Sequence, residues 1–180
     1  MFSEAKMLQV DLTTQTFRTE IIPEEILSTY LGGRGLGAYL LYQTIEAGVD
    51  PLSPENPLIF TVGLTQGMSI PFSPKAVVTT KSPLTNIYLY SVSSGAIGHH
   101  IRKAGYMAIM IRGKSEKPVY LQVDGDHACL RDARRLWGMN TLETQAAILK
   151  EIDNPKAAVA VIGAGGEKLI KYAAIMTEGE

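Results

Sequence analysis

The sequence predicts a mixed domain of short strands and short helices around one core. Three observations lead there. Compact apolar and β-branched runs recur, among them Leu58-Ile-Phe-Thr-Val62, Ala76-Val-Val-Thr-Thr80 and Met107-Ala-Ile-Met-Ile111, the signature of buried strands. Between them lie short stretches with apolar residues at helical spacing. Proline, glycine or asparagine brackets each stretch. At 180 residues, with 46% hydrophobic and 19% charged side chains, the chain is long enough to bury a real core.

The chain opens with a hairpin. Met7-Leu-Gln-Val10 reads as a strand, Asp11 to Thr16 as a polar turn, and Phe17 to Ile22 as the returning strand. Pro23-Glu24-Glu25 then starts a helix, its acids facing the positive helix end. Ile26, Leu27 and Tyr30 form its apolar stripe and Gly32-Gly33 stops it. A second helix runs from about Leu36 to Ile45, with Leu36, Tyr39 and Leu40 on one face. Pro51 to Pro57 is a turn-rich loop before the strand Leu58–Val62, and 63–74 is a second loop with two glycines and two prolines. Ala76–Thr80 and Ile87–Tyr90 are strands joined by the turn Ser82-Pro-Leu-Thr85. Ser93 or Ser94 is placed to cap a short helix carrying Ile97, Ile101 and Ala104, which Gly105 ends.

Three more strands follow at Met107–Ile111, Val119–Val123 and His127–Arg131, the last two joined at Asp124-Gly125. Asn140 with Glu143 forms a capping-box pattern ahead of a helix whose buried face is read as Leu142, Ala146, Leu149 and Ile152. Ala157–Ile162 and Leu169–Met176 close the chain as strands, and Trp137 reads as a core plug.

Bulk properties exclude several functions. Lys plus Arg is 17 and Asp plus Glu is 18, so no net field draws nucleic acid. The local run Arg102-Lys103 to Arg112-Lys114 reads as solvated charge. The single Cys129, read as a core residue, excludes an internal disulfide. It also excludes an iron–sulfur cluster or Cys-rich zinc site built by this chain alone. Met1 to Lys6 carries no apolar segment of a signal peptide. No run approaches the ~20 apolar residues of a membrane span. A cytoplasmic protein is the expectation.

The residues that bear on chemistry are the glycine-rich helix starts. A helix N-terminus presents amide donors and partial positive charge, which suits phosphate. Ser93-Ser94-Gly95 makes one anion site, and Gly32-Gly33-Arg34-Gly35 another with a guanidinium fork. Alternatively, the same glycines only make tight turns. Gly32 to Leu40 and Ser94 to Ile101 echo one another about sixty residues apart, as a duplication would produce. Gly163-Ala-Gly-Gly166 lacks the full dinucleotide spacing and precedes a strand-like segment, so a dinucleotide site is not expected. His99 and His100 are adjacent and cannot chelate one metal from a helix face, and His127 is remote. No nucleophile–base–acid set stands out.

One block from Leu31 to Thr177 nonetheless carries an ordered set of motifs. They are Leu31-Gly-Gly-Arg-Gly-Leu-Gly37, Asp50-Pro-Leu-Ser-Pro-Glu-Asn56, Lys81-Ser-Pro-Leu-Thr85, Ala104-Gly-Tyr106, Gly113-Lys-Ser-Glu-Lys-Pro-Val119 and Ile162-Gly-Ala-Gly-Gly-Glu-Lys-Leu169. In order and spacing they resemble the N-terminal domain of the tungsten-containing aldehyde:ferredoxin oxidoreductases. The resemblance covers about four-fifths of the chain, from Leu31 to Thr177. It implies an α+β fold for residues 1–180, two β-sheets with short helices related by a pseudo-twofold duplication. It implies a base on which two pterin-dithiolene ligands of one tungsten (or molybdenum) ion lie. A magnesium ion would bridge the pterin phosphates. A four-iron, four-sulfur (4Fe-4S) cluster would be held by cysteines of later domains, and so not by this chain.

Residue by residue, the family's arginine between pterin and cluster aligns with Lys75, which keeps the charge without the planar fork. The asparagine beside the magnesium aligns with Val92, a contact made through a backbone carbonyl. Ser93, Ser94 and Gly95 align with the adjoining Ser-Gly-Gly-type loop. The family's Gly-Pro-Leu-Thr-Gly appears as Gly63-Leu-Thr-Gln-Gly67, and its Ile-Gly-Pro-Ala-Gly-Glu as Ile162-Gly-Ala-Gly-Gly-Glu167. Its Arg-x-Ala-Gly-Arg-Gly-Gly pterin loop would follow Glu180. The implied function is cofactor binding within an enzyme that oxidises an aldehyde to a carboxylic acid and passes electrons to ferredoxin. No catalytic residue is expected on this chain, and the chain alone would be inactive. Its partners would be the downstream domains, ferredoxin for the whole enzyme, and a second copy of itself. A stand-alone binding module for a phosphorylated ligand, or a scaffold subunit, is the alternative.

Overall fold

The computed structural model describes residues 5–68, 70 and 75–177. Residues Met1–Glu4 and much of the loop read over 63–74 lie outside the described residues.

The opening hairpin forms from β1 (Lys6–Asp11) and β2 (Thr16–Ile21), paired antiparallel from Lys6↔Ile21 to Asp11↔Thr16. Asp11 fixes the turn by accepting the amides of Thr13 and Thr14, each at 3.0 Å. Helix α1 (Glu24–Tyr30) starts on Pro23, whose carbonyl receives the amides of Ile26 and Leu27. It stops at Leu31, which takes the left-handed conformation (φ 56°), one residue before the glycines expected to end it. Helix α2 (Gly33–Thr44) therefore begins earlier than expected, on Gly32.

Strands β3 (Leu58–Val62), β4 (Lys75–Lys81) and β5 (Tyr88–Ser94) follow, then helix α3 (Ala96–Lys103) and strand β6 (Tyr106–Arg112). Together with the hairpin they build one six-stranded sheet in the order β2-β1-β6-β3-β4-β5. The order is symmetric about the β6–β3 pair, a hairpin flanking each side. Direction differs between the halves, since β1 runs parallel to β6 whereas β4 runs antiparallel to β3. Five successive buried residues of β6, Tyr106 to Met110, show that both faces of the sheet's centre are covered. The main core gathers Leu8, Val10, Leu36, Ile59, Val62, Tyr106 and Met107.

The rest of the chain makes a smaller annex. Strands β7 (Val119–Asp124) and β8 (His127–Asp132) form a hairpin closed at Gly125-Asp126. Its residues Leu121, Val123, Ala128 and Leu130 pack on the main core. Helix α4 (Thr141–Glu151) carries the full capping box of Asn140 and Glu143. The one-turn α5 (Ala164–Glu167) separates β9 (Ala160–Ile162) from β10 (Ile175–Thr177), which pair antiparallel. A second core of Ala133, Leu136, Ile148 and Val161 holds this part.

Several expectations are corrected here. α4 buries Thr144, Gln145 and Ile148, while Leu142 and Ala146 are exposed. The strand read over 169–176 shrinks to β10, because Leu169, Ile170 and Tyr172 are exposed and outside any ladder. The strand read over 157–162 keeps only β9. Trp137 is 54% exposed, and Leu136 beside it fills the core. Cys129 is half-buried on β8 and belongs to neither core cluster.

Candidate functional site

The β4–β5 register brings the expected site residues to one end of the large sheet. Lys75 stands opposite Ser94, Ala76 opposite Ser93, and Val77 opposite Val92. Directly facing residues of an antiparallel pair share a face and successive residues alternate. Lys75, Ser94 and Val92 therefore lie on one face, and Ser93 on the other. A Cβ added to Gly33 would contact Val77, so the face of Val92 is the one α2 covers.

The chain turns from β5 into α3 through Gly95, at φ 94° and ψ −161°. A side chain rarely tolerates that conformation. It also explains why neither serine caps the helix, as the sequence suggested. Ser93 and Ser94 stay extended in β5, and α3 starts on Gly95 with no side-chain cap. Gly32 starts α2 in nearly the same conformation, φ 80° and ψ −167°. The glycine echo is thus a repeated strand-to-helix or helix-to-helix corner. Both helices press a glycine onto β4. A Cβ on Gly37 would come within 2.5 Å of Thr79 Oγ1, and one on Gly98 within 2.8 Å of the Lys75 backbone.

One anion-site candidate reaches β5 on the α2 face. Arg34, in the first turn of α2, donates from Nη1 to the Tyr90 hydroxyl at 3.0 Å, and its guanidinium lies 5.0 Å from that ring's centre. Tyr90 faces Thr79 and follows the alternation to Val92. The first turn of α3 carries no acidic residue, and His100, Arg102 and Lys103 fall in its last turn. None of the ion pairs among the described residues involves Lys75, which is exposed.

A cleft of about 360 Å³ opens at the head of α3. Gln66, Gly67, Met68 and Ile70 line one side, and Gly95, Ala96 and His99 the other. Gln66 is 3% exposed. Its Oε1 accepts the Lys75 amide at 3.2 Å, which anchors the start of β4, and its Nε2 has no hydrogen-bond partner among the described residues. Sequence reasoning passed over Gln66. Its only signal was a glutamine where the resembled family has threonine.

Ser93 turns away from this face. Its hydroxyl bonds the Thr177 hydroxyl at 2.9 Å and donates to the Ser94 carbonyl at 3.0 Å. The end of β10 is thereby held against the end of β5. Among the described residues no group of three His, Cys, Asp or Glu side chains gathers for a metal, and the rings of His99 and His100 meet edge to face at 5.8 Å.

Comparison with known proteins places this geometry. The model of the aldehyde ferredoxin oxidoreductase N-terminal domain matches residues 7–180. A tungsten-containing aldehyde ferredoxin oxidoreductase of Pyrococcus furiosus is 43% identical over 174 residues, covering 97% of this chain and 29% of that protein. Its counterpart from Thermococcus kodakarensis is 44% identical over the same length, with the same coverage. A solved structure of the active-site complex BamBC of benzoyl coenzyme A reductase, in complex with 1,5-dienoyl-CoA, superposes with a TM-score of 0.94. It is 37% identical and is matched over 96% of this chain and 26% of that one. The chain thus spans less than a third of the length of the relatives it matches.

Proposed function

The chain belongs to the aldehyde ferredoxin oxidoreductase family, as its N-terminal domain, and we propose that it is the cofactor-cradling part of a tungsten-dependent oxidoreductase. The observation that carries the reading is the corner at Gly95, with Lys75 opposite Ser94 and Val92 one step along the same face.

The residues fit a pterin cofactor that brings phosphates and holds its own metal. The uncapped start of α3 and the unpaired Lys75 suit phosphate oxygens. On this reading the ion's ligands would come from the pterin and not from side chains of this domain. When bound, the tungsten (or molybdenum) bis-pterin supplies the oxygen and electron chemistry. Lys75 would balance phosphate charge and Ser94 would donate to it. The Val92 carbonyl would help hold a magnesium ion beside the phosphates, and Gly95 lets the backbone come close. Gln66 would hold Lys75 in place through the backbone. The 4Fe-4S cluster would sit on downstream domains, which would also contribute the substrate cavity. The whole enzyme would oxidise an aldehyde to a carboxylic acid with ferredoxin as acceptor, in the cytoplasm, and this domain alone would be inactive.

The likeness to a benzoyl coenzyme A reductase component favours a second reading of the substrate. The same cradle would then serve reduction of an aromatic acyl thioester. One experiment addresses both. The longer protein, produced in a host supplied with tungstate, is analysed for metal and pterin and assayed with an aldehyde and with benzoyl-CoA. Tungsten with pterin in twofold excess and aldehyde oxidation is the expected result. Turnover of the thioester alone would replace the aldehyde reading. A folded protein with neither metal nor pterin would leave the stand-alone binding module in its place.

A further inference from the structure

We infer that β5 is an interdomain seam, covered by the portion of the polypeptide that follows this domain in its longer relatives. This rests on the reading above that the chain is one part of a longer enzyme.

Edge strands are usually blunted by charge, proline or a bulge, because an open row of amides and carbonyls recruits other chains. The two edges of the large sheet differ in this respect. β2 carries Arg18 and Glu20. From Ile87 to Ser94 there is no charge, no proline and no glycine, the composition of an adhesive strand. Yet β5 is open along its length. Ile87 is 66% exposed, Tyr88 40%, Leu89 40%, Tyr90 42% and Val92 48%, with Leu84 of the preceding turn at 60%. The apolar exposure falls on both faces of the strand, since Leu89 alternates with Tyr88 and Tyr90. Solitary exposed apolar residues need no partner, but a contiguous strip of this kind marks an interface.

What covers the strip follows from where the chain leads. The Ser93–Thr177 bond at 2.9 Å places the end of β10 at the end of β5. In the relatives this stretch is 29% of the length, so a continuing chain leaves the domain beside β5. The covering portion has the shortest route of any candidate partner. It meets a strand that carries no charge of its own, beside which Arg34 is already engaged by Tyr90.

Hydroxyl-radical footprinting of the longer protein tests this, with Tyr42 as internal reference. Tyr42 is 83% exposed, so Tyr88 and Tyr90, at 40% and 42%, would label at about half its rate if free. The expected result is loss of labelling at Tyr88 and Tyr90 while Tyr42 labels fully. It should hold in protein from hosts with and without tungstate, and at dilutions where the protein is monomeric. Labelling at the half-rate overturns the inference, even in protein that carries tungsten, and leaves the functional reading standing. Protection only in metal-loaded protein assigns the cover to the cofactor, and protection lost on dilution assigns it to a second copy; either overturns the seam. Protection in protein that takes up neither metal nor pterin keeps the seam and removes the functional reading.

Discussion

Lys75 is where the smallest change should have the largest functional effect. A hydrogen bond to a charged group contributes about 1.5–3 kcal/mol. Lys75→Ala in the longer protein should therefore cut cofactor retention roughly tenfold or more without unfolding it, since the side chain is exposed. Lys75→Arg should retain the cofactor. Equal metal content in the alanine variant after dialysis would remove Lys75 from the site. Asp132 provides a titration with a definite sign. The side chain and then the backbone amide of Arg134 hold its carboxyl at about 2, below its ordinary 3.8. The stability this pair contributes is present above the ordinary value and lost as pH falls through about 2. Both groups are well exposed, so salt should weaken the effect. Carboxyl NMR should show a midpoint near 2 that returns to the ordinary range in Arg134→Ala. An unchanged midpoint in that variant would deny Arg134 the role.

Among the elements, α4 has the best-defined start. Asn140 Oδ1 accepts the Glu143 amide at 2.9 Å, and Glu143 reaches back to the Asn140 amide at 3.3 Å. Asn140→Ala should cost about 1 kcal/mol, read as a lower denaturant midpoint with an unchanged slope. A loss within error would mean that the second core alone holds the helix. This capping box was legible in the sequence because it depends on residues three apart. The strands β3, β4 and β6 were legible because inner strands of a sheet leave short runs rich in apolar and β-branched residues. The buried face of α4 was not, because Thr144 and Gln145 are the residues turned inward, and an apolar periodicity cannot see polar burial. Trp137 and the stretch from Leu169 to Tyr172 misled for the converse reason, being apolar yet outside any core. Of the site, the glycine corners could be read locally. The pairing of Lys75 with Ser94 depends on register across a turn. The role of Gln66 depends on the path of a loop, and neither leaves a periodic trace.

At the scale of the molecule, two cores sit side by side, and the main one is much the larger. The apolar exposure is concentrated on β5 and in the annex, where Leu142, Ile162, Leu169 and Tyr172 are exposed. The isolated 180-residue chain should therefore self-associate. Sedimentation at rising concentration should show species heavier than a monomer. A strictly monomeric protein would mean that these residues find cover within the chain. Placing lysine at Leu89 should reduce the association.

The place of β1 between β2 and β6 has one more consequence, which concerns the order of events at the ribosome. β1 is flanked by β2, its immediate neighbour in sequence, and by β6, which begins at Tyr106. The hairpin made first thus waits for a strand translated some 95 residues after Asp11, about 5–20 s at ordinary elongation rates. Through that interval the edge of β1 that β6 later takes has no strand paired to it. Closing the sheet is a late, non-local step of the kind that slows folding. Synonymous changes that pause translation before Tyr106 would prolong this vulnerable interval without altering a single residue of the finished protein.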